Sequence, residues 1–285
     1  MNYRHGFHAG NHADALKHAA LALVLQALAV KEKPFEALDT HAGRGLYDLE
    51  SAEAARSPEW RGGGGRIIED AAAPPALGPW LDAVRAANPF GGLRWYPGSP
   101  LLIAGALRPG DTAKFCELHP EERAALEAAL PPRNAIKVFD RDGYQAVRAF
   151  LPPTARRGLT LIDPPFEQPG EYDRLAEALA DGLKRFATGV FMLWRPVKDA
   201  DGYRALLAAL EVLGARKTLV AELRVRAAEP GRLTGSGLVL VNPPFGLYER
   251  LTEALPYLSA RLATGPGAGF TLDAREGGEA RRLEG

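Results

Sequence analysis

RAAEPGRLTGS, residues 226–236, lies between two apolar runs of strand-like composition, Lys217–Val225 and Gly237–Val241. Its Pro-Gly pair and the glycine after it leave no room for a crossover helix. A parallel pair needs a connection of about a dozen residues or more, so the two runs should pair antiparallel. Upstream the pattern is different. Strand-like segments at Pro34–Thr40, Ala113–Leu118, Ala135–Phe139, Leu159–Asp163 and Gly189–Trp194 alternate with helical ones at Ser99–Leu107, Pro120–Leu130, Gly143–Leu151, Tyr172–Arg185 and Gly202–Leu213. A further helical segment covers Leu247–Leu262. This alternation predicts an α/β fold, a mostly parallel sheet wrapped by helices and closed by one reversed strand. His12–Lys31 reads as the first helix, capped by Asn11 and stopped before Pro34. Between Leu46 and Arg94 the periodicity degrades into Gly62–Gly65, Pro74-Pro75 and short helical pieces. The expected division is therefore residues 1–45 and 95–262 for the main domain and 46–94 for a small helical insertion. Residues 263–285, rich in glycine and charge, are expected to form a frayed tail.

Composition narrows the function classes. With 285 residues, 46% hydrophobic and 25% charged, the chain can bury a substantial core and is neither disordered nor collagen-like. The longest apolar stretch, Ala19–Val30, is too short to span a bilayer, and Met1–Asn11 has no apolar signal core. A single cysteine, Cys116, excludes an internal disulfide and a cysteine-based zinc cluster. These features point to a cytoplasmic enzyme without a membrane partner. Lys+Arg 35 against Asp+Glu 35 gives zero net charge, which at first sight argues against a nucleic-acid partner.

In an open parallel sheet the ligand site lies beyond the carboxyl ends of the strands. The residues at those ends are Asp39–Gly45, with His41 and the turn Gly43-Arg44-Gly45, then Glu117, then Asp142-Gly143, then Asp163-Pro164-Pro165-Phe166. The glycines let backbone approach a ligand closely, and a carboxylate ending the second strand can accept both hydroxyls of a ribose. The last motif is the most informative. An exocyclic amine such as adenine N6 is a poor nucleophile because its lone pair is delocalised into the ring. A carboxylate, Asp163, and a backbone carbonyl, that of Pro164, can both accept from the amino hydrogens and favour a geometry in which the lone pair attacks. Two successive prolines fix φ and hold such a carbonyl in a rigid turn. Phe166 offers a face for base stacking, worth about 1–3 kcal/mol. A second copy, Asn242-Pro243-Pro244-Phe245, ends the reversed strand, so it should emerge at the opposite edge of the sheet and serve structure.

His5, His8, His12 and His18 crowd the N-terminal block, but no HExxH is present and the helix starts only near His12. No metal is expected. Hydrogen bonding and stacking around a nucleotide suit these histidines better, and Tyr3, Arg4, Phe7 and Lys17 add groups for base and phosphate contacts. In YPGSP, residues 96–100, Ser99 and Pro100 read as N-cap and first residue of a helix whose exposed N–H groups could meet a carboxylate.

Taken together, YRHGFHAGNHADALKH (3–18), LDTHAGRGLYDL (38–49), YPGSP, ELHP (117–120), DGY (142–144), RRGLTLIDPPF (156–166) and KRFATGVFMLW (184–194) resemble the large-subunit ribosomal RNA methyltransferase J family from Tyr3 to about Leu262. The resemblance implies a Rossmann-like class I methyltransferase fold with a helical insertion, and S-adenosylmethionine as cofactor. It also implies methylation of N6 of an adenine in 23S ribosomal RNA, with no metal. Carried over by motif, His18, His41, Ser99, Glu117, Asp142, Gly143 and Asp163 would contact the cofactor. Asp163, with Pro164 and Phe166, would act on the target amine, and Tyr3 and Lys17 would lie near the RNA. Many relatives have tyrosine where this chain has Phe166, which puts any role of a phenol hydroxyl in doubt. The competing readings are a DNA adenine-N6 methyltransferase and a non-catalytic RNA- or nucleotide-binding module. A dinucleotide dehydrogenase fits less well, given the reversed strand and the absence of a full G-x-G-x-x-G. No protein partner is inferred. The neutral charge then argues only against promiscuous binding: local bias exists, as in Arg216, Lys217, Arg224, Arg226 and Arg232 against Glu222 and Glu229. RNA affinity is expected to fall with salt along a shallow slope.

Overall fold

The computed structural model describes residues 4–198, 200–229 and 232–285. Helix α1 (His12–Ala29) leads into β1 (Glu36–Asp39), and β2 (Leu46–Asp48), α2 (Ala52–Arg56), α3 (Gly78–Ala87) and β3 (Trp95–Pro97) come after it. Next come α4 (Ser99–Ala106), β4 (Thr112–Cys116), α5 (Pro120–Ala129), β5 (Ile136–Phe139), α6 (Gly143–Phe150) and β6 (Gly158–Ile162). The chain closes with α7 (Glu171–Arg185), β7 (Val190–Pro196), α8 (Ala200–Val212), β8 (Lys217–Arg224), β9 (Gly235–Val241), α9 (Leu247–Leu262), β10 (Gly269–Glu276) and β11 (Glu279–Glu284).

One sheet has the order β11-β10-β8-β9-β7-β6-β1-β4-β5. β1 pairs parallel with β4 and β6, and β5 and β7 extend the parallel set on either side. β9 runs antiparallel to both β7 and β8, the reversal demanded by the short link at 226–236. Strands β6 and β9 are buried along their whole length, as strands covered on both faces must be. One face is covered by α1, α4 and α9, the other by α6, α7 and α8.

Helix α1 is apolar all round and therefore central rather than peripheral: Leu16, Leu21, Val24 and Leu25 are buried, and so are Asp14, Lys17 and His18. The Asn11 side chain accepts from the backbone N–H groups of Ala13 and Asp14, fixing where the helix begins and hence where those three polar residues sit.

Two expectations change. Residues 263–285 are not a frayed tail: β10 adds to β8 and β11 to β10, both antiparallel, so a second reversed strand joins the sheet. The alternation Phe270, Leu272 supplies buried anchors inside a charged segment, and Gly277-Gly278, both at positive φ, form the two-residue turn that a tight hairpin favours. The boundary at 94/95 cuts a two-stranded ribbon, because β2 pairs with β3. Trp80, Tyr96, Ile67 and Leu77 of this region merge with α1 into one continuous core.

Among the described residues no helix is long and apolar enough to cross a membrane.

Candidate functional site

A cavity of about 1240 Å³ opens at the carboxyl ends of β1, β4, β5 and β6. It is lined by His18, His41, Ser99, Glu117, Asp142, Gly143, Asp163, Pro164 and Phe166, which the chain order scatters over 149 residues, together with Lys17. Tyr3 lies outside the described residues.

The chain leaves β1 through Thr40, whose hydroxyl donates to the Leu161 carbonyl at 3.0 Å and ties β1 to β6. Gly43 then turns at φ +63°, a left-handed conformation that favours glycine, and its N–H donates to Glu117 Oε2 at 2.8 Å. Glu117 Oε1 accepts from the His119 N–H at 2.7 Å. Burial raises the pKa of Glu117, although these two donors oppose the shift. Each oxygen keeps a further lone pair for a ligand hydroxyl. Beyond β5, Asp142 caps α6 by accepting from the N–H groups of Tyr144 and Gln145. Gly143 presses on β1: a Cβ there would stand 2.2 Å from the Thr40 carbonyl oxygen, so no other residue fits without backbone movement.

Three buried polar residues of α1 meet the end of β6. Lys17 Nζ is 2.6 Å from Asp163 Oδ2 and 2.9 Å from Asp14 Oδ1. Asp14 Oδ2 also takes the Gly10 N–H and His5 Nε2, each at 2.8 Å. Burial alone would raise the Asp14 pKa, but the facing His5, Lys17 and His18 outweigh it and hold it well below the usual carboxylate range. Burial likewise opposes the charge of Lys17, and the two carboxylates overcome it, raising its pKa well above the ordinary value. The Lys17 ammonium is therefore neutralised inside the protein. It sits beside Asp163 rather than reaching for a phosphate, which corrects one role considered for it. Arg4, the other cation of that block, pairs with Glu53 and Glu121.

Two histidines of the cavity wall act as hydrogen-bonding groups. His18 Nδ1 bonds with the Tyr96 hydroxyl at 2.9 Å, and burial lowers the His18 pKa to about 3. His41 Nδ1 lies 2.8 Å from Thr40 Oγ1 with its pKa lowered by burial to about 4. Both rings are neutral at pH 7. His8 pairs with Glu59 of the insertion at 2.9 Å, which ties the N-terminal segment across the cavity mouth. No group of three or more His, Cys, Asp or Glu among the described residues has the arrangement of a metal site.

Ser99 differs from its expected place. Gly98 is the N-cap of α4, with extended backbone, and Ser99 is the first helical residue and is buried. Helix α4 still presents its N-terminal N–H groups toward the cavity wall formed by Gly98 and Ser99.

Phe166 has φ +51°, strained for an aromatic residue, and its ring packs edge-on against Tyr172 (5.0 Å between centroids) and Trp194 (5.7 Å). Trp194 is itself fixed by Nε1 donating to Ser236 Oγ at 2.8 Å. Asp14 and Trp194 were not among the residues singled out from the sequence. The spacing of Asp14, Lys17 and His18 on one helical face was the available signal for Asp14. Trp194 carried no local signal beyond ending a strand. The second motif is separate, as expected: Asn242 Nδ2 donates to the carbonyls of Ala187 and Gly189, at the opposite edge of the sheet.

The residues present suit a nucleoside bearing an amino-acid chain. Glu117 offers acceptors for a ribose, α4 offers N–H groups for a carboxylate, and the cavity is larger than one drug-sized ligand needs.

Comparison with known proteins identifies the family. The family model described as "RsmJ: Ribosomal RNA large subunit methyltransferase D, RlmJ" matches residues 32–273. Ribosomal RNA large subunit methyltransferase J of Escherichia coli K12 is 41% identical over 263 residues, covering 92% of this chain and 94% of that protein. Its counterpart from Haemophilus influenzae is 41% identical over 276 residues, covering 96% and 98%. A crystal structure of a Legionella pneumophila protein, 31% identical, superposes with a TM-score of 0.86 over 95% of this chain and 99% of that one. The fold is thus that of a Rossmann-like methyltransferase, and the chain belongs to the RlmJ family of ribosomal RNA large subunit methyltransferases.

Proposed function

We propose that this protein transfers a methyl group from S-adenosylmethionine to N6 of an adenine in 23S ribosomal RNA. The observation that carries the reading is Asp163 at the end of β6, with Oδ2 held by Lys17 and no partner on Oδ1 among the described residues. One oxygen is anchored and the other is available to accept from an amino group. Family membership supports ribosomal RNA rather than duplex DNA as the substrate.

Glu117 would take the ribose hydroxyls of the cofactor, while Ser99, His18 and the start of α4 would surround its amino-acid end. Asp142 and Gly143, beside His41, would border the adenosine. When bound, the cofactor supplies an electrophilic methyl group. The chain does the rest by positioning, which can contribute several kcal/mol of barrier lowering. Acceptance by Asp163, and by the Pro164 carbonyl, draws the amino hydrogens aside so that the nitrogen lone pair leaves conjugation with the ring. Phe166, braced by Tyr172 and Trp194, would stack on a target base that has left its own helix. The fixed aromatic cluster is preorganised for that contact.

The test is Asp163→Ala, assayed for methyl incorporation into unmodified 23S RNA and, in parallel, into duplex DNA. Expected are a loss of turnover of at least about 10²-fold, S-adenosylmethionine affinity within a few-fold of wild type, and negligible incorporation into DNA. Near-wild-type turnover by the variant would remove Asp163 from its role. Mapping N6-methylated adenines in ribosomal RNA from cells with and without the gene locates the target.

A further inference from the structure

The parallel strands begin, and the helices that precede them end, along one edge of the sheet, opposite the cavity. Six cations collect there: Lys31 and Lys33 before β1, Arg156 before β6, Lys184 and Arg185 before β7, and Arg216 before β8. All are exposed, and none forms an ion pair among the described residues. Of the cations lining the cavity, Arg174 pairs with Asp142 and Glu171 and Arg232 with Glu229, while Arg141 and Lys198 form no ion pair among the described residues. The order β8-β9-β7-β6-β1 sets these residues in a row. At about 4.8 Å between neighbouring strands, the row is on the order of 20 Å long.

Phe245 stands in that row. Because β9 is reversed, its NPPF turn emerges at this edge, between the starts of β8 and β7. Asn242, at φ +54°, clamps the turn to the carbonyls of Ala187 and Gly189, just after Lys184 and Arg185. Pro243 and Pro244 stiffen the turn beyond Asn242, and the Phe245 ring is fully exposed, at 103% of its reference area. Cations at helix C-termini are favoured by the helix dipole alone. An aromatic ring held out in water on a clamped Pro-Pro turn has no such reason.

We propose that this edge is a second RNA-binding surface, where single-stranded RNA lays its phosphates along the cations and stacks one base on Phe245. The proposal rests on the functional reading above only in taking that RNA to be a flank of the same substrate, far from the target adenine. It also revises the expectation of a shallow salt dependence. A row of unpaired cations predicts a steeper slope than zero net charge suggests.

The test is equilibrium binding of a fluorescent oligouridylate of about 30 nucleotides, long enough to span one groove and free of adenine, across a salt series. The triple variant Lys184→Ala/Arg185→Ala/Arg216→Ala should bind about tenfold more weakly, with a log–log salt slope shallower by about 2, from about 0.7 per lost phosphate contact. Phe245→Ala should also lose about tenfold, with the slope unchanged, because stacking releases no counterions. Both variants should keep wild-type turnover at saturating 23S RNA and raise its KM. Wild-type oligouridylate binding by either variant would overturn the proposal, as would failure of the wild-type protein to bind the probe. A lower melting temperature with unchanged binding would mark the cations as helix caps only and overturn it too. Absence of 23S methylation by the wild-type enzyme would instead sink the catalytic reading, since the probe contains no methylatable adenine.

Discussion

Replacing Lys17 by methionine keeps the length of a buried side chain and removes the one cation shared by Asp14 and Asp163. From the observed distances of 2.9 and 2.6 Å, each attraction amounts to about 6 kcal/mol at an effective dielectric of 20. Most of that gross figure offsets the cost of burying the three charges, so the net loss on removing the cation should be about 3–5 kcal/mol. An exposed pair would cost less than about 1 kcal/mol. Urea denaturation at pH 7 measures the difference directly. The pH dependence gives a second reading. Asp14 is held well below its ordinary pKa, so in the wild type it contributes stability that is present above the unfolded value and lost as pH falls through the folded one. In Lys17→Met that depression shrinks, so the gap between variant and wild type should narrow as pH falls below about 4, the unfolded value. Turnover should fall at least about tenfold as Asp163 loses its anchor, with S-adenosylmethionine affinity changed far less. A stability loss under 1 kcal/mol, or a gap that widens in acid, would refute the account of Lys17 as a buried, doubly paired cation.

Two other residues give separate tests. Phe166→Tyr should methylate within a few-fold of wild type, because stacking survives and no hydroxyl is used, whereas Phe166→Ala should lose about 1–3 kcal/mol of base stacking, seen mainly in the KM for RNA. Asp39 is fully buried at the end of β1, and burial pushes its pKa up to about 7 despite the Ser99 hydroxyl. The folded state therefore binds this proton more tightly than the unfolded chain. Wild-type stability should decline as pH rises from about 4 through 7, and Asp39→Asn should remove that decline in melting temperature. A wild-type profile flat over this range, or unchanged by the substitution, would count against the raised pKa.

Much of the site was legible in advance because a parallel sheet concentrates ligand groups at one set of strand ends. Once His41, Glu117, Asp142 and Asp163 are placed at or just beyond strand termini, their convergence on one cavity is a consequence of topology. What stayed hidden was the pairing among them. Lys17 and Asp163 are separated by 146 positions, and only the packing of α1 across the sheet brings the ammonium onto the carboxylate. Trp194 was hidden for the same reason: a tryptophan near a strand end becomes a brace for Phe166 only when β6 and β7 lie side by side. The C-terminal segment misled through composition, since Phe270 and Leu272 gain their meaning from the exposed edge of β8 that receives them.

The sequence by itself determined the reversal of β9, because a link as short as residues 226–236 cannot carry a chain back across the sheet. It also put Asp-Pro-Pro-Phe at the carboxyl end of a parallel strand, the side of the sheet on which the cavity opens. Tertiary structure alone decided where charge goes. A net charge of zero is a sum over the chain, and a sum has no geometry. Folding retires Lys17 into a buried pair and leaves Lys31, Lys33, Arg156, Lys184, Arg185 and Arg216 unpaired along one edge among the described residues. Residues so far apart in sequence become neighbours there because every parallel strand must begin on the same side of the sheet.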